Sequence, residues 1–275
     1  MRGDIGEVAM ASPVGGMAPA VSSHWPDWRT SIRHWQGRLQ CPCYRQRKGA
    51  VAMDESPVGL RIDIVSDAIC PWCYIGKRQL ERALTTLAQE GLHFSVHWNP
   101  FQLNPDMPKE GRDRAAYRTM KFGSAEKSRE LDERVASAAA NVGLDFRLDL
   151  MLRTPNTLDA HRLIWLAGRE GVQDAVMEAV FIAYFTEGRD IGDRDVLADC
   201  AAQGSMDHAK VADFLAGDVA AKEMLAADSA AREAGVNGVP SFFLDGYGLY
   251  SGAMPADTMA EALRKGHQVL RQRAA

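Results

Sequence analysis

The stretch Leu60-Arg61-Ile62-Asp63-Ile64-Val65-Ser66-Asp67-Ala68-Ile69-Cys70-Pro71-Trp72-Cys73 decides how the rest of the chain is read. Leu60, Ile62 and Ile64 alternate with Arg61, Asp63 and Val65, the period of two that a strand shows. Just beyond, Leu80, Ala83, Leu84 and Leu87 recur at helical spacing, and Gly91 marks the end of that helix. The Cys-x-x-Cys pair therefore stands where a strand hands over to a helix, the setting in which such a pair reads as redox-active. Pro71 suits the first helical position, where its missing N–H is no loss. Cys70 then lies beside the unpaired N–H groups and the partial positive charge of the helix start. That surrounding favours thiolate over thiol, so Cys70 is the expected attacking sulfur. Cys73 falls further inside the first turn and is expected to be the more buried. It is close enough to attack a mixed disulfide on Cys70 and release the product.

Working outward, residues 92–98 (Leu-His-Phe-Ser-Val-His-Trp) alternate again and are rich in strand formers. Strand, helix and strand make a βαβ unit, which packs as a right-handed parallel crossover. Residues 99–109 hold Pro100, Pro105 and Pro108 and read as a loop. From about 110 to 235 the signals are helical, with no convincing strand. Asn156 or Thr157 is placed to cap one helix and Val172–Glu187 forms another. Asp193 and Asp207 open two more, and a last one runs from about Val219 to Ala234. Strand chemistry returns at Ser241-Phe242-Phe243-Leu244, with a turn at Asp245-Gly246 and a partner strand at Gly248–Ser251. Asp257 is expected to cap the final helix. The fold class is α/β: βαβ, an α-helical insertion, then ββα. The expected divisions are 58–108, 109–235 and 236–275, preceded by an extension over 1–57.

The extension differs in character from the rest of the chain. Residues 1–52 carry seven basic and three acidic residues, a surplus of +4, so the other 223 carry −8 of the chain's net −4. A net acidic chain has no bulk attraction for nucleic acid. No apolar run approaches the roughly 18 residues of a membrane helix. Early Asp4 and Glu7, with Gly, Pro and Ser beyond, do not make a secretory signal, so the expected location is cytoplasmic. The extension shows no periodicity and is expected to be poorly ordered, or to precede a true start at Met53. The five cysteines, an odd number, do not form a disulfide framework, and in a reducing compartment a close pair reads as catalytic or metal-binding.

The second element of the site is Gly238-Val239-Pro240, immediately before the third strand. At this point the chain resembles the DsbA family of thioredoxin-fold oxidoreductases, in particular its FrnE-like cytoplasmic branch. That branch is related to the 2-hydroxychromene-2-carboxylate isomerases and kappa-class glutathione transferases. The resemblance is carried by residues 66–76 (Ser-Asp-Ala-Ile-Cys-Pro-Trp-Cys-Tyr-Ile-Gly), 156–163 (Asn-Thr-Leu-Asp-Ala-His-Arg-Leu), 187–191 (Glu-Gly-Arg-Asp-Ile) and 251–255 (Ser-Gly-Ala-Met-Pro), in that order. It covers roughly 58–272. It implies a thioredoxin fold interrupted by a helical domain, and a cis Val239–Pro240 bond facing the cysteine pair. It also implies that the backbone before Pro240 pairs with an extended substrate segment. One departure is Ser241, which stands where the family continues with Phe.

The expected activity is thiol–disulfide exchange through Cys70 and Cys73 on a thiol- or disulfide-containing protein or small thiol. No bound cofactor, metal, nucleic acid or membrane is called for. Glutathione or a thioredoxin-type donor is the expected co-substrate, and the chain acts as a monomer or homodimer. Two other readings stand beside it. One is a glutathione-dependent isomerase or transferase, although those branches typically carry Ser for the first cysteine. The other is a zinc-holding module in which Cys41 and Cys43 complete a four-thiolate site. Asp67 is read either as a turn residue or as a proton acceptor near the cysteines, and Trp72 as an exposed apolar rim. His161 is expected to be a satisfied packing histidine and Cys200 a small core residue. Lys77, Asn99 and Asn104 are candidates for substrate contact only by position.

Overall fold

The computed structural model describes residues 59–274. Four strands form the central sheet in the order β2-β1-β5-β6: β1 (Leu60–Ser66), β2 (Phe94–Pro100), β5 (Ser241–Leu244) and β6 (Tyr247–Ser251). β1 and β2 run parallel, with Ile62 opposite Val96 and Ile64 opposite Trp98. β5 joins antiparallel, with Ile64 opposite Phe242, and β6 returns beside β5. Asp245 and Gly246 link the last two strands with φ of 46° and 83°. Both values lie in the left-handed region, which is why a tight hairpin takes Asp-Gly here.

Side-chain alternation along β1 divides the interior. Ile62 and Ile64 belong to the main core with Leu80, Ala83 and Leu87 of α1 (Pro71–Gln89). Val65 faces the other way, into a smaller cluster with Phe101, Ala231, Val236 and Phe243. The final helix α9 (Ala256–Ala274) lies against α1.

The segment between β2 and β5 holds α2 (Arg114–Phe122), α3 (Ala125–Ala140), α4 (Leu158–Glu170), α5 (Gln173–Phe181), α6 (Arg194–Gln203), α7 (His208–Ala216) and α8 (Ala221–Glu233). Asp193 and Asp207 cap α6 and α7, accepting from the N–H groups of Asp195 and Lys210. Thr157 occupies the cap position of α4, but the side chain that accepts there is Asn156, from Leu158 N–H at 2.9 Å.

Three details depart from the sequence reading. The block is not strand-free: β3 (Arg112–Asp113) and β4 (Arg153–Thr154) pair antiparallel. Two residues apiece are too short to show an alternation. The helix expected over Val172–Glu187 changes pitch, so that α5 is followed by a π-helical turn over Ile182–Thr186. Apolar periodicity is insensitive to that extra residue. Asp257 sits inside the first turn of α9 rather than at its cap, because the helix begins at Ala256.

Candidate active site

Strand β1 ends at Ser66, and the turn Asp67-Ala68-Ile69 delivers Cys70 to the N-cap position of the 19-residue α1. Cys70 N–H donates to Asp67 O at 3.1 Å and Cys73 N–H to Cys70 O at 3.0 Å. Pro71 starts the helix, so Cys73 lies in its first turn. Both cysteines are free thiols. Cys73 is fully buried and Cys70 is 3% exposed, so the expected order holds by a small margin. Burial first, then the Cys70 thiol beside it, pushes the Cys73 thiol well above its ordinary pKa. Trp72 is 40% exposed between two buried sulfurs.

The Val239–Pro240 peptide is cis. It brings Val239 O to 3.6 Å from Cys70 Sγ, which donates to it. Pro240 packs on α1 where Gly76 leaves room: a Cβ on Gly76 would lie 3.1 Å from Pro240 Cγ. Ser241 has a local use for its hydroxyl, which donates to Gly238 O at 2.8 Å and lies 2.8 Å from Ser251 Oγ. A phenylalanine would leave that loop carbonyl without its partner.

Asp67 is fully buried behind the motif. Its Oδ2 accepts from Leu103 N–H at 2.7 Å, which holds the loop after β2 against the cysteine turn. Its Oδ1 lies 3.3 Å from His161 Nε2, but that N–H is directed at Phe101 O, 3.1 Å away. Oδ1 therefore sits within ion-pair distance without a directed hydrogen bond. His161 is the satisfied, buried histidine that the sequence suggests. Its place behind Asp67 is not evident from the sequence, where the run Asn156–Leu163 is the available signal.

The remaining candidates are not gathered at the cysteines. Lys77 is buried one turn beyond Cys73 and pairs with Glu81, Asp174 and Glu178. These groups line the open cleft between α1 and α5, so its charge is matched within the protein. Asn99 donates to Asp63, and Asn104 accepts from Tyr117 and Lys121. Cys200 is buried against Ala179 O, and burial pushes its thiol up to about 12. Among the described residues no three His, Cys, Asp or Glu side chains are grouped to hold a metal ion. Cys41 and Cys43 lie outside the described residues. No described helix is long and apolar enough to cross a membrane.

The fold has counterparts. The chain is 32% identical to a probable DsbA oxidoreductase from Streptomyces coelicolor, with a TM-score of 0.67 over 75% of this chain and 89% of that one. The cytosolic disulfide reductase DsbM from Pseudomonas aeruginosa, 18% identical, shares the fold with a TM-score of 0.56 over 76% of this chain and all of that one. An uncharacterised Bacillus subtilis protein, YwbO, is 26% identical over 208 residues, 74% of this chain and 96% of its own. The model of the DSBA-like thioredoxin domain matches residues 61–264. With the cysteine turn after the first strand, the interrupting helical block and the closing hairpin in that order along a match to residues 61–264, the chain belongs to the DSBA-like thioredoxin family.

Proposed function

We propose that the protein is a thiol–disulfide oxidoreductase working through Cys70 and Cys73. The observation that carries this reading is the placement of Cys70 at the start of α1, 3.6 Å from Val239 O, with Cys73 in the first turn behind it. Cys70 thiolate attacks a substrate disulfide, forming a mixed disulfide and expelling one substrate thiolate. Cys73 thiolate then attacks the Cys70 sulfur, closing the Cys70–Cys73 bond and expelling the second. The substrate is reduced by two electrons and the dithiol is oxidised. A thiol donor such as glutathione or a thioredoxin-type partner resets it, and the same steps in reverse oxidise a substrate dithiol. The Val239 backbone beside Cys70 suits an extended substrate chain that pairs by strand addition, with Trp72 as an apolar rim. The four matching motifs favour the FrnE-like cytoplasmic branch.

The test is exchange with a disulfide-bonded peptide in the presence of glutathione. Wild type should turn over and Cys70→Ser should lose activity by at least a hundredfold. Cys73→Ala should accumulate a mixed disulfide on Cys70. Glutathione-dependent isomerisation of a small molecule that survives Cys73→Ala would replace this reading with the isomerase or transferase one. Stoichiometric zinc released by thiol modification would replace it with the metal-holding one.

A further inference from the structure

Ser66 closes β1 on the same face as Ile62 and Ile64, because successive strand side chains alternate. That face is the one covered by α1 and Cys73. Ser66 is 1% exposed. Its carbonyl accepts from Phe101 N–H at 3.0 Å, but its hydroxyl finds no hydrogen-bond partner among the described residues. A buried hydroxyl left unpaired is unfavourable, and native structures hold few of them. Cys73 is buried on that same face, and the Ser66 hydroxyl acts on its thiol against burial, favouring ionisation.

We propose that Ser66 is a catalytic residue of the exchange, donating a hydrogen bond to the Cys73 thiolate in the step that frees product from Cys70. The inference rests on the dithiol reading above. A thiol is a weak acceptor, so the hydroxyl gains little from it; a thiolate is a strong one. The interaction thus strengthens as charge forms on Cys73, which is what accelerates a step rather than merely stabilising the fold. Cys73 gives its proton to water, and its thiolate attacks the Cys70 sulfur of the mixed disulfide. The Cys70–Cys73 bond forms and the bond from Cys70 to substrate breaks. The electron pair leaves with the substrate thiolate, which takes a proton from water.

Other groups act around Cys73 and stay constant in a Ser66 variant. Cys70 is its neighbour in the motif, and Asp67 follows Ser66 at the end of β1. His161 of α4 and buried Tyr184 of the π-helical turn lie around Asp67. Lys77, one turn along α1, is matched by its three carboxylates. Residues 236–240 bring no titratable side chain.

Two measurements on the full chain test the proposal. In a Cys70→Ser background, the Cys73 Cβ signal of 13C-labelled cysteine, assigned by its loss in Cys73→Ala, is followed against pH without any substrate. Adding Ser66→Ala should move its midpoint up by about one pH unit, a tenfold change in ionisation. In the second measurement Cys70 is loaded with glutathione and release is timed against pH. Ser66→Ala should slow release about tenfold on the acid limb and converge with wild type at high pH. A loosened fold would instead lower the rate at every pH. Ser66→Thr against Ser66→Val, matched in size and differing in the hydroxyl, gives the same comparison should Ser66→Ala fail to fold. If wild type releases glutathione and removing the hydroxyl leaves both midpoint and profile unchanged, Ser66 has no such role. If wild type releases none although Cys73 titrates as expected, the dithiol reading falls and the step with it.

Discussion

Asp67 and His161 hold the loop after β2 over the cysteine turn, since one accepts from Leu103 N–H and the other donates to Phe101 O. Both side chains are buried, and so is Phe101, so losing His161 leaves the Phe101 carbonyl unpaired away from water. His161→Ala should therefore destabilise the protein by about 1–3 kcal/mol. It should also speed amide exchange at Leu103 more than at Ile62, deep in the sheet. Denaturant unfolding and amide hydrogen exchange check this. His161→Gln, which keeps an N–H at similar reach, should recover part of the loss. Equal stability in wild type and His161→Ala would show that the His161–Phe101 hydrogen bond adds nothing to holding the loop.

Arg162, the next residue on α4, does the corresponding work between helices. It is 1% exposed, and its guanidinium donates to Val219 O at 2.8 Å, Gly217 O at 2.9 Å, Phe214 O at 3.0 Å and Asp159 at 2.5 Å. One side chain thus ties off the carbonyls where α7 ends and α8 has not begun. Arg162→Met should cost about 3–5 kcal/mol, because it strands those carbonyls and leaves Asp159 with Arg194 alone. Arg162→Lys should recover little, since a single ammonium cannot replace the planar fork. Thermal unfolding of the three proteins decides it. These long-range ties are what the sequence alone could not show. Elements specified locally were legible: β1 by its alternation, α1 by its apolar stripe, the β5–β6 hairpin by Asp245-Gly246. Cys70, Cys73, Trp72, Val239 and Pro240 were legible because short motifs carry them. Ser66 was half legible. Its parity with Ile62 and Ile64 assigns its face, but the sulfur opposite it is known only once α1 is docked. His161 lies far along the chain from Asp67, and an apolar helix face resembles a packing surface until the loop over it is placed. The β3–β4 pairing and the π-helical turn leave no periodic trace.

At the scale of the whole molecule, the helical block must stay registered on the helix that carries the cysteines, and α1 meets α5 through charge. Lys77 Nζ lies 3.1 Å from Asp174 and 3.0 Å from Glu178, and it also pairs with Glu81. Arg78 pairs with Glu81 and Glu178, and Tyr74 donates to Glu178 at 2.7 Å. Burial works against the charge on Glu178, but Arg78, Lys77 and Tyr74 outweigh it and hold its carboxyl below the usual range. Burial likewise opposes the charge on Lys77, and Asp174, Glu81 and Glu178 outweigh it, raising its pKa. The signs fix where each matters. A raised lysine contributes fully below its unfolded pKa of about 10.4 and is lost only as pH rises through its folded value. A depressed carboxylate contributes fully above its unfolded pKa of about 4.3 and is lost as pH falls through its lower folded value. Between about pH 5 and 9 the network should therefore be intact, and Glu178→Gln should cost about 1–3 kcal/mol throughout that window. Below about pH 4.3 wild type loses this contribution while Glu178→Gln has none to lose, so the gap between them should narrow steadily toward acid. Urea unfolding of both proteins at pH 7, 5, 4 and 3 measures that gap. A gap that stays constant to pH 3 would assign the loss to altered packing of the substituted side chain rather than to charge, and no gap at pH 7 would mean that the Glu178 charge adds nothing to seating α5 on α1.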